Sequence, residues 1–305
     1  MTALITPKRP LAASTARRTL APAAGRWRRA ERLVRRAPLH LALWAIALAW
    51  LAPVVGLLIT SLRPKSDILS TGWWAAVVQP RFTFDNYAEV LGSHGMLGAL
   101  LNSLQITIPS TLIPLVVAAF AGYAFAWLRF PYRDTIFMVI VALMMVPVQL
   151  GFIPLLHLLG DAGLTQNFTG IWLVHSAYAL PFGVFLLRNF FVGLPSSIIE
   201  AARLDGAGEF RIFRTLVVPL STPAIASYGI FQFLWVWNDL LMALVYAQNP
   251  AASPMTRQIQ GLLSEFGTEW HLLAAGAFVL MVVPLTVFFG LQRYFAHGLL
   301  SGSVK

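Results

Sequence analysis

Nucleotide hydrolysis needs a phosphate-cradling loop, Gly-x4-Gly-Lys-Ser/Thr, whose lysine reaches the phosphates. The chain has only Lys8, Lys65 and Lys305, preceded by Pro7, Pro64 and Val304. No such loop is possible, so any ATP cleavage must come from another polypeptide. Metal chemistry needs clustered imidazoles, thiolates or carboxylates. His40, His94, His157, His175, His271 and His297 form no His-Glu-x-x-His pair, and there is no cysteine. No metal site is expected. Two sets of polar residues remain. Glu200, Arg203 and Asp205 bracket Ala201 and Ala202 in a charged, glycine-broken loop. Asp239 is the one acid that falls within a span, with Asn102, Gln105, Gln149, Gln232 and Asn238 in similar surroundings.

The solvent around these residues follows from composition. The chain of 305 residues is 58% hydrophobic and 11% charged, whereas soluble domains are about 25% charged. So much apolar surface requires lipid, and a crossing helix needs roughly 20 apolar residues. Stretches free of Asp, Glu, Lys and Arg cover residues 39–62, 95–128, 135–160, 162–187, 215–238 and 270–292. Each is long enough for one span. Backbone groups in lipid must bond within their own segment, so an all-α polytopic protein of about six transmembrane helices is predicted. Proline interrupts several spans (Pro109, Pro114, Pro147, Pro154, Pro181).

Orientation follows from Lys and Arg in the connections. Six spans place 18 basic residues on the side of the two termini and Arg63, Lys65, Arg81 and Arg257 on the other. Both termini are therefore expected in the cytoplasm. The net charge of +10 sits largely in the N-terminal stretch, which suits an anionic membrane surface better than nucleic acid. Residues 1–38 are expected as a basic, disordered cytoplasmic tail before an uncleaved first span. Residues 39–292 form the transmembrane domain and 293–305 a short cytoplasmic tail. Trp73 and Trp74, in the long outer connection, suit an interfacial belt.

The loop at 191–218 lies between spans 4 and 5. Ser197 and Glu200 fit a capping box, and Gly206 fits the left-handed end of a short helix. A second helix should carry Phe210, Phe213 and Val217 on one face, with Pro219 and Pro223 where span 5 begins. By composition alone, this is either an amphipathic connector resting on headgroups or a rigid elbow for another protein. Asp239 is likewise either a residue on a solute path or an interfacial acid between Trp235 and Trp237. The uncharged polar residues would contact a sugar hydroxyl or bond neighbouring helices. In a regular helix Asn238 and Asp239 point about 100° apart and share no narrow face.

Glu200-Ala201-Ala202, three residues, Gly206, nine residues and Leu216-Val217-Val218-Pro219 resemble the Glu-Ala-Ala…Gly…Ile-x-Leu-Pro signature of permease subunits of binding-protein-dependent ABC importers. Leu216 and Val218 replace Ile and Leu. Phe82-Thr83-Phe84-Asp85-Asn86-Tyr87, Asn102-Ser103-Leu104, Trp237-Asn238-Asp239 and the tail from Leu291 through Lys305 look like the carbohydrate-uptake class, similar to the smaller permease of the maltose transporter. The likeness covers roughly residues 81–305. It implies a type I importer permease fold and a non-catalytic role in solute translocation by alternating access. It further implies ATPase docking through Glu200, Ala201, Ala202, Arg203, Asp205, Gly206, Ala207, Phe210 and Pro219. The implied partners are two ATPase subunits, which use ATP and Mg, a second and different permease, and an extracytoplasmic binding protein. No cofactor is expected on this chain. The solute is expected to be a carbohydrate, or else a polyol or glycerol phosphate. The charge-free spans hold no cation for an anionic solute. A proton-coupled secondary transporter would need a relay of intramembrane acids, and only Asp239 is available.

Overall fold

The computed structural model describes residues 24–93, 95–165, 167–265 and 269–300. Among them there are helices and turns and no strand. The chain divides into two units, Met1–Val55 and Gly56–Lys305. Helix α1 (Ala24–Leu62) supplies the described part of the first. It begins before the expected span start at 39, inside the stretch expected as a disordered tail; residues 1–23 of that tail lie outside the described residues. Leu41, Trp44, Leu48 and Trp50 are all exposed, as a helix surrounded by lipid requires.

The second unit holds short helices α2 (Lys65–Ser70) and α3 (Asp85–Ser93) and the long α4 (Met96–Trp127). Helices α5 (Arg133–Leu143) and α6 (Phe152–Asp161) precede α7 (Phe168–Val192). The cytoplasm-facing loop of the sequence reading forms α8 (Ser196–Leu204), α9 (Glu209–Ile212) and α10 (Val218–Leu220), followed by α11 (Thr222–Trp237). Helices α12 (Leu241–Tyr246), α13 (Met255–Glu265) and α14 (Trp270–Leu300) complete the described residues. Among the described residues four helical stretches are long and apolar enough to cross a membrane, or up to six if each of two bent pairs is one span.

The third expected span is therefore corrected: α5 and the Val148–Asp161 segment meet at 96°. Pro147 has no N–H and disfavours helical geometry at the residue before it. Tyrosines of other helices tie down the backbone that follows the break. Tyr178 donates to the Val148 carbonyl at 2.9 Å and Tyr246 to the Phe152 carbonyl at 3.0 Å. Gly151 leaves room for the first of these, since a Cβ there would lie 2.1 Å from the Tyr178 hydroxyl. Irregular backbone at membrane depth persists only where such partners exist.

Helices α4 and α7 pack closely. A Cβ at Gly122 would stand 3.0 Å from the Arg188 backbone nitrogen. One core joins Ala118 and Tyr123 of α4, Leu187 and Phe191 of α7, Ile199, Ile212, Val217 and Tyr228. This core fastens the 191–218 loop to the spans.

Candidate functional site

Two places carry the polar residues singled out above. The first is the elbow. Pro195 caps α8 without a side-chain hydrogen bond, so the expected Ser197–Glu200 capping box does not form. The helix starts two residues earlier than that box requires, and Ser197 already lies inside it. Ile199 is buried in the core, while Glu200, Ala201, Arg203 and Asp205 are exposed and Ala202 half-buried. The C-terminal end is a Schellman motif. The Ala207 N–H bonds the Ala202 carbonyl and the Gly206 N–H bonds the Arg203 carbonyl, both at 3.0 Å. This pattern needs a left-handed residue, and Gly206 has φ +78° with open space where a Cβ would project. Gly206 is thus held by backbone conformation rather than by crowding.

A side-chain network then locks the elbow to α4. Arg203 clasps Glu209 across the glycine turn, Nε to Oε1 at 2.9 Å and an Nη to Oε2 at 3.2 Å. The same guanidinium donates at 3.1 Å to the Trp127 carbonyl, at the C-terminus of α4, where the helix dipole favours a cation. The buried Tyr123 hydroxyl donates to Glu209 Oε2. The hydrogen bonds from Arg203 hold the Glu209 carboxyl below its ordinary value. Glu209 and Tyr123 were not singled out from sequence. The only signal was an acid six residues after Arg203 across a glycine.

Beyond the elbow, Phe213–Val217 form a π-turn. The expected apolar face is accordingly corrected: Phe213 and Val217 are buried with Ile212, but Phe210 is exposed. The wider turn shifts the register. Phe210 stacks on Phe120 with centroids 6.4 Å apart. Pro219 is exposed. The arm Glu209–Leu220 meets α11 at 77°.

The second place is a cleft of about 710 Å³ beside the α5–α6 break, bordered by Gln149, Phe231, Trp235, Asn238 and Asp239. An adjoining cavity of about 400 Å³ shares Val148, Phe231 and Trp235 and reaches His175, Tyr178 and Gln232. No Lys or Arg lines either one. Asn238 and Asp239 border the same cleft, contrary to the helical expectation, because α11 stops at Trp237. Asp239 lies outside the helix: its Oδ1 accepts the Met242 N–H at 3.0 Å and so caps α12. Its Oδ2 stands 4.0 Å from Nδ1 of buried His175. The other candidates lie elsewhere. Asn102 donates to the Ala251 and Ser253 carbonyls at 2.9 and 3.1 Å, tying down the loop after α12. Exposed Gln105 gives its backbone carbonyl to the Trp172 indole at 2.8 Å. Gln232 is buried and bonds the Ser110 carbonyl at 3.3 Å.

Residues 114–301 match the family described as the inner membrane component of binding-protein-dependent transport systems. The chain is 53% identical over 273 residues to an osmoprotective compounds uptake permease protein of Synechocystis sp., covering 88% of this chain and 92% of that one. It is 48% identical to an alpha-glucoside transport system permease protein of Rhizobium meliloti, over 76% of this chain and 63% of that one. Among solved structures, a bacterial ABC transporter involved in the import of the acidic polysaccharide alginate is similar in fold. Its TM-score is 0.71 at 24% identity, covering 88% of this chain and 98% of the other.

Proposed function

Since the chain belongs to the family of inner membrane components of binding-protein-dependent transport systems, we propose that it is the non-catalytic permease of an ATP-driven importer for a neutral, hydroxyl-rich solute of the α-glucoside type. Two separate ATPase subunits, using ATP and Mg, dock on the Glu200–Gly206 elbow. A second, different permease completes the pathway, and an extracytoplasmic binding protein delivers the solute. Both termini lie in the cytoplasm, and the membrane lipid surrounds the spans.

The observation that carries this reading is the elbow. Its inner residue Ile199 is anchored in the core and its turn is locked at Gly206, while Glu200, Ala201, Arg203 and Asp205 are offered outward. Ile198, Leu204 and Phe210 are exposed beside them, so the outward face is a mixed apolar and charged one that suits a protein partner, and a connector merely resting on headgroups would gain nothing from a turn locked at Gly206. The solute class has separate support. The cleft offers Gln149, Asn238 and Asp239, which bond hydroxyl groups, and offers an anion no cation. That argues against glycerol phosphate. The name of the Synechocystis relative supports a second reading, an osmoprotective compound.

The test is reconstitution of the chain with its ATPases, partner permease and binding protein in liposomes. ATP-dependent uptake of a labelled α-glucoside is expected, with competition by polyols and little by uronic acids. Uptake that persists without ATP, driven by a proton gradient, would overturn the reading.

A further inference from the structure

Residues 63–84 follow α1 and form a closed loop whose two ends are fixed to the last turn of that helix. Arg63, 1% exposed, folds the loop around its guanidinium. It donates to the Gly72 carbonyl and to the Thr71 hydroxyl, both at 2.7 Å. At the far end, the Thr83 N–H bonds the Leu62 carbonyl at 2.7 Å. Asn86 donates to the carbonyls of Ser61 and Arg63 at 2.8 and 2.9 Å. The loop therefore cannot swing away from the end of the span.

Between these ties the chain turns back along α1. The Trp73 indole lies 3.0 Å from where a Cβ of Gly56 would be. Gly56 precedes Leu62 by six residues, or about 9 Å of helix. The span Ala37–Leu62 has 26 residues, against roughly 20 needed to cross the hydrocarbon. The surplus is also about 9 Å, so Trp73 sits near the edge of the hydrocarbon layer. The 3₁₀ turn Trp73–Val77 buries Ala76 and turns the rest outward. Val77 and Val78 are each 82% exposed and Trp74 65%, and Phe82 and Phe84 are exposed beside them. From residue 68 to 84 the one charged side chain is Arg81, which pairs with Asp67 at 3.4 Å.

We propose that the segment 73–84 is a membrane-interface anchor, with Trp74, Val77 and Val78 inserted into the lipid leaflet at the C-terminal end of α1. An apolar face held at this depth by hydrogen bonds to the end of a span has lipid as its neighbour. Tryptophan suits the headgroup level, and such faces insert by about 5–10 Å. Arg63 is the positioning residue: its bonds set the height at which the apolar turn meets the bilayer.

The chain has no cysteine, which permits a direct depth measurement. Val77→Cys, Val78→Cys, Val54→Cys as a span reference and exposed Ser70→Cys as a water reference are nitroxide-labelled. Each is placed in the complete transporter in phosphatidylcholine–phosphatidylglycerol nanodiscs. Collision rates with oxygen and with a water-soluble nickel chelate are compared. At 77 and 78 the oxygen-to-nickel ratio is expected within twofold of Val54 and several-fold above Ser70. A ratio equal to that of Ser70 would place the segment in water. Low access to both quenchers would assign it to a protein partner. Either result overturns the proposal, whatever the solute carried.

Discussion

Replacing Glu209 by alanine removes the one acceptor shared by Arg203 and Tyr123, so its effect can be worked from the geometry. The Arg203–Glu209 pair is partly exposed, 36% and 43% for the two side chains. Solvent screening reduces such a pair to about 0.5–1 kcal/mol. Tyr123 differs, because its hydroxyl is buried against the elbow. Leaving it without an acceptor costs about 1–3 kcal/mol. Together the loss is about 1.5–4 kcal/mol, which lowers the ratio of held to released elbow by about 10- to 700-fold. Glu209→Gln keeps an acceptor for Tyr123 and should fall between. The assay is the ratio of binding-protein-stimulated to basal ATP hydrolysis in proteoliposomes, normalised to assembled complex. Assembly is expected to persist because Ile199 and Ile212 still anchor the loop. A stimulated-to-basal ratio unchanged in Glu209→Ala would refute the reasoning. So would full additivity with Tyr123→Phe, since groups in contact should couple by at least about 0.5 kcal/mol. The pH dependence has a definite sign. The Glu209 carboxyl is held below its ordinary 4.5 by the hydrogen bonds from Arg203. Its contribution is therefore complete above that value and lost as pH falls through the lowered one. This network should leave coupling flat between about pH 6 and 8.

Gly206→Ala should cost about 1 kcal/mol and the β-branched Gly206→Val more, from the left-handed backbone alone. Gly206→Asn should recover part of the loss, measured as the same ATPase ratio; equal ratios for Ala, Val and Asn would disprove a conformational role. Asp239→Asn keeps the cap on Met242, so the complex should assemble while half-saturation for uptake rises several-fold. An unchanged uptake curve would reduce Asp239 to holding α12. Asp239→Ala, which loses the cap as well, should cost about 1 kcal/mol of stability, read as a lower melting temperature of the complex. A cysteine at Ser301 should react with an impermeant maleimide only from the cytoplasmic side; labelling from outside intact cells would invert the proposed topology.

Charge patterning exposed the membrane-spanning stretches because lipid penalises charge so heavily that absence alone marks them. The elbow was legible because its glycine spacing reflects one backbone demand, met at Gly206. What escaped was tertiary. Pro147 looked like the other prolines within spans, yet Pro109 and Pro114 stay inside a continuous α4 while Pro147 stands at a 96° break. Beside that break Tyr178 and Tyr246, distant in sequence, bond the backbone of the following segment. Asp239 was counted along a helix that ends two residues earlier, so its sharing of a cleft with Asn238 was hidden. Glu209 was unreadable because its meaning depends on Tyr123 in another helix.

The 77° corner at Ser221 has a mechanical consequence. The arm from Glu209 to Leu220 is about 18 Å long at helical rise. Rotating it by about 10° around the corner sweeps its tip through about 3 Å, well within the range of motion by which packed elements hinge. Val217 and Val218 both accept from the Ser221 N–H, at 2.9 and 3.2 Å, so the corner can trade one bond for the other without breaking the chain of contacts. The tip carries the elbow, locked to it by Arg203. The corner carries α11, whose far end frames the cleft at Trp235 and Asn238. If the ATPases dock on the elbow as proposed, force applied there would act as torque on the wall of the cleft, with Ser221 as the fulcrum.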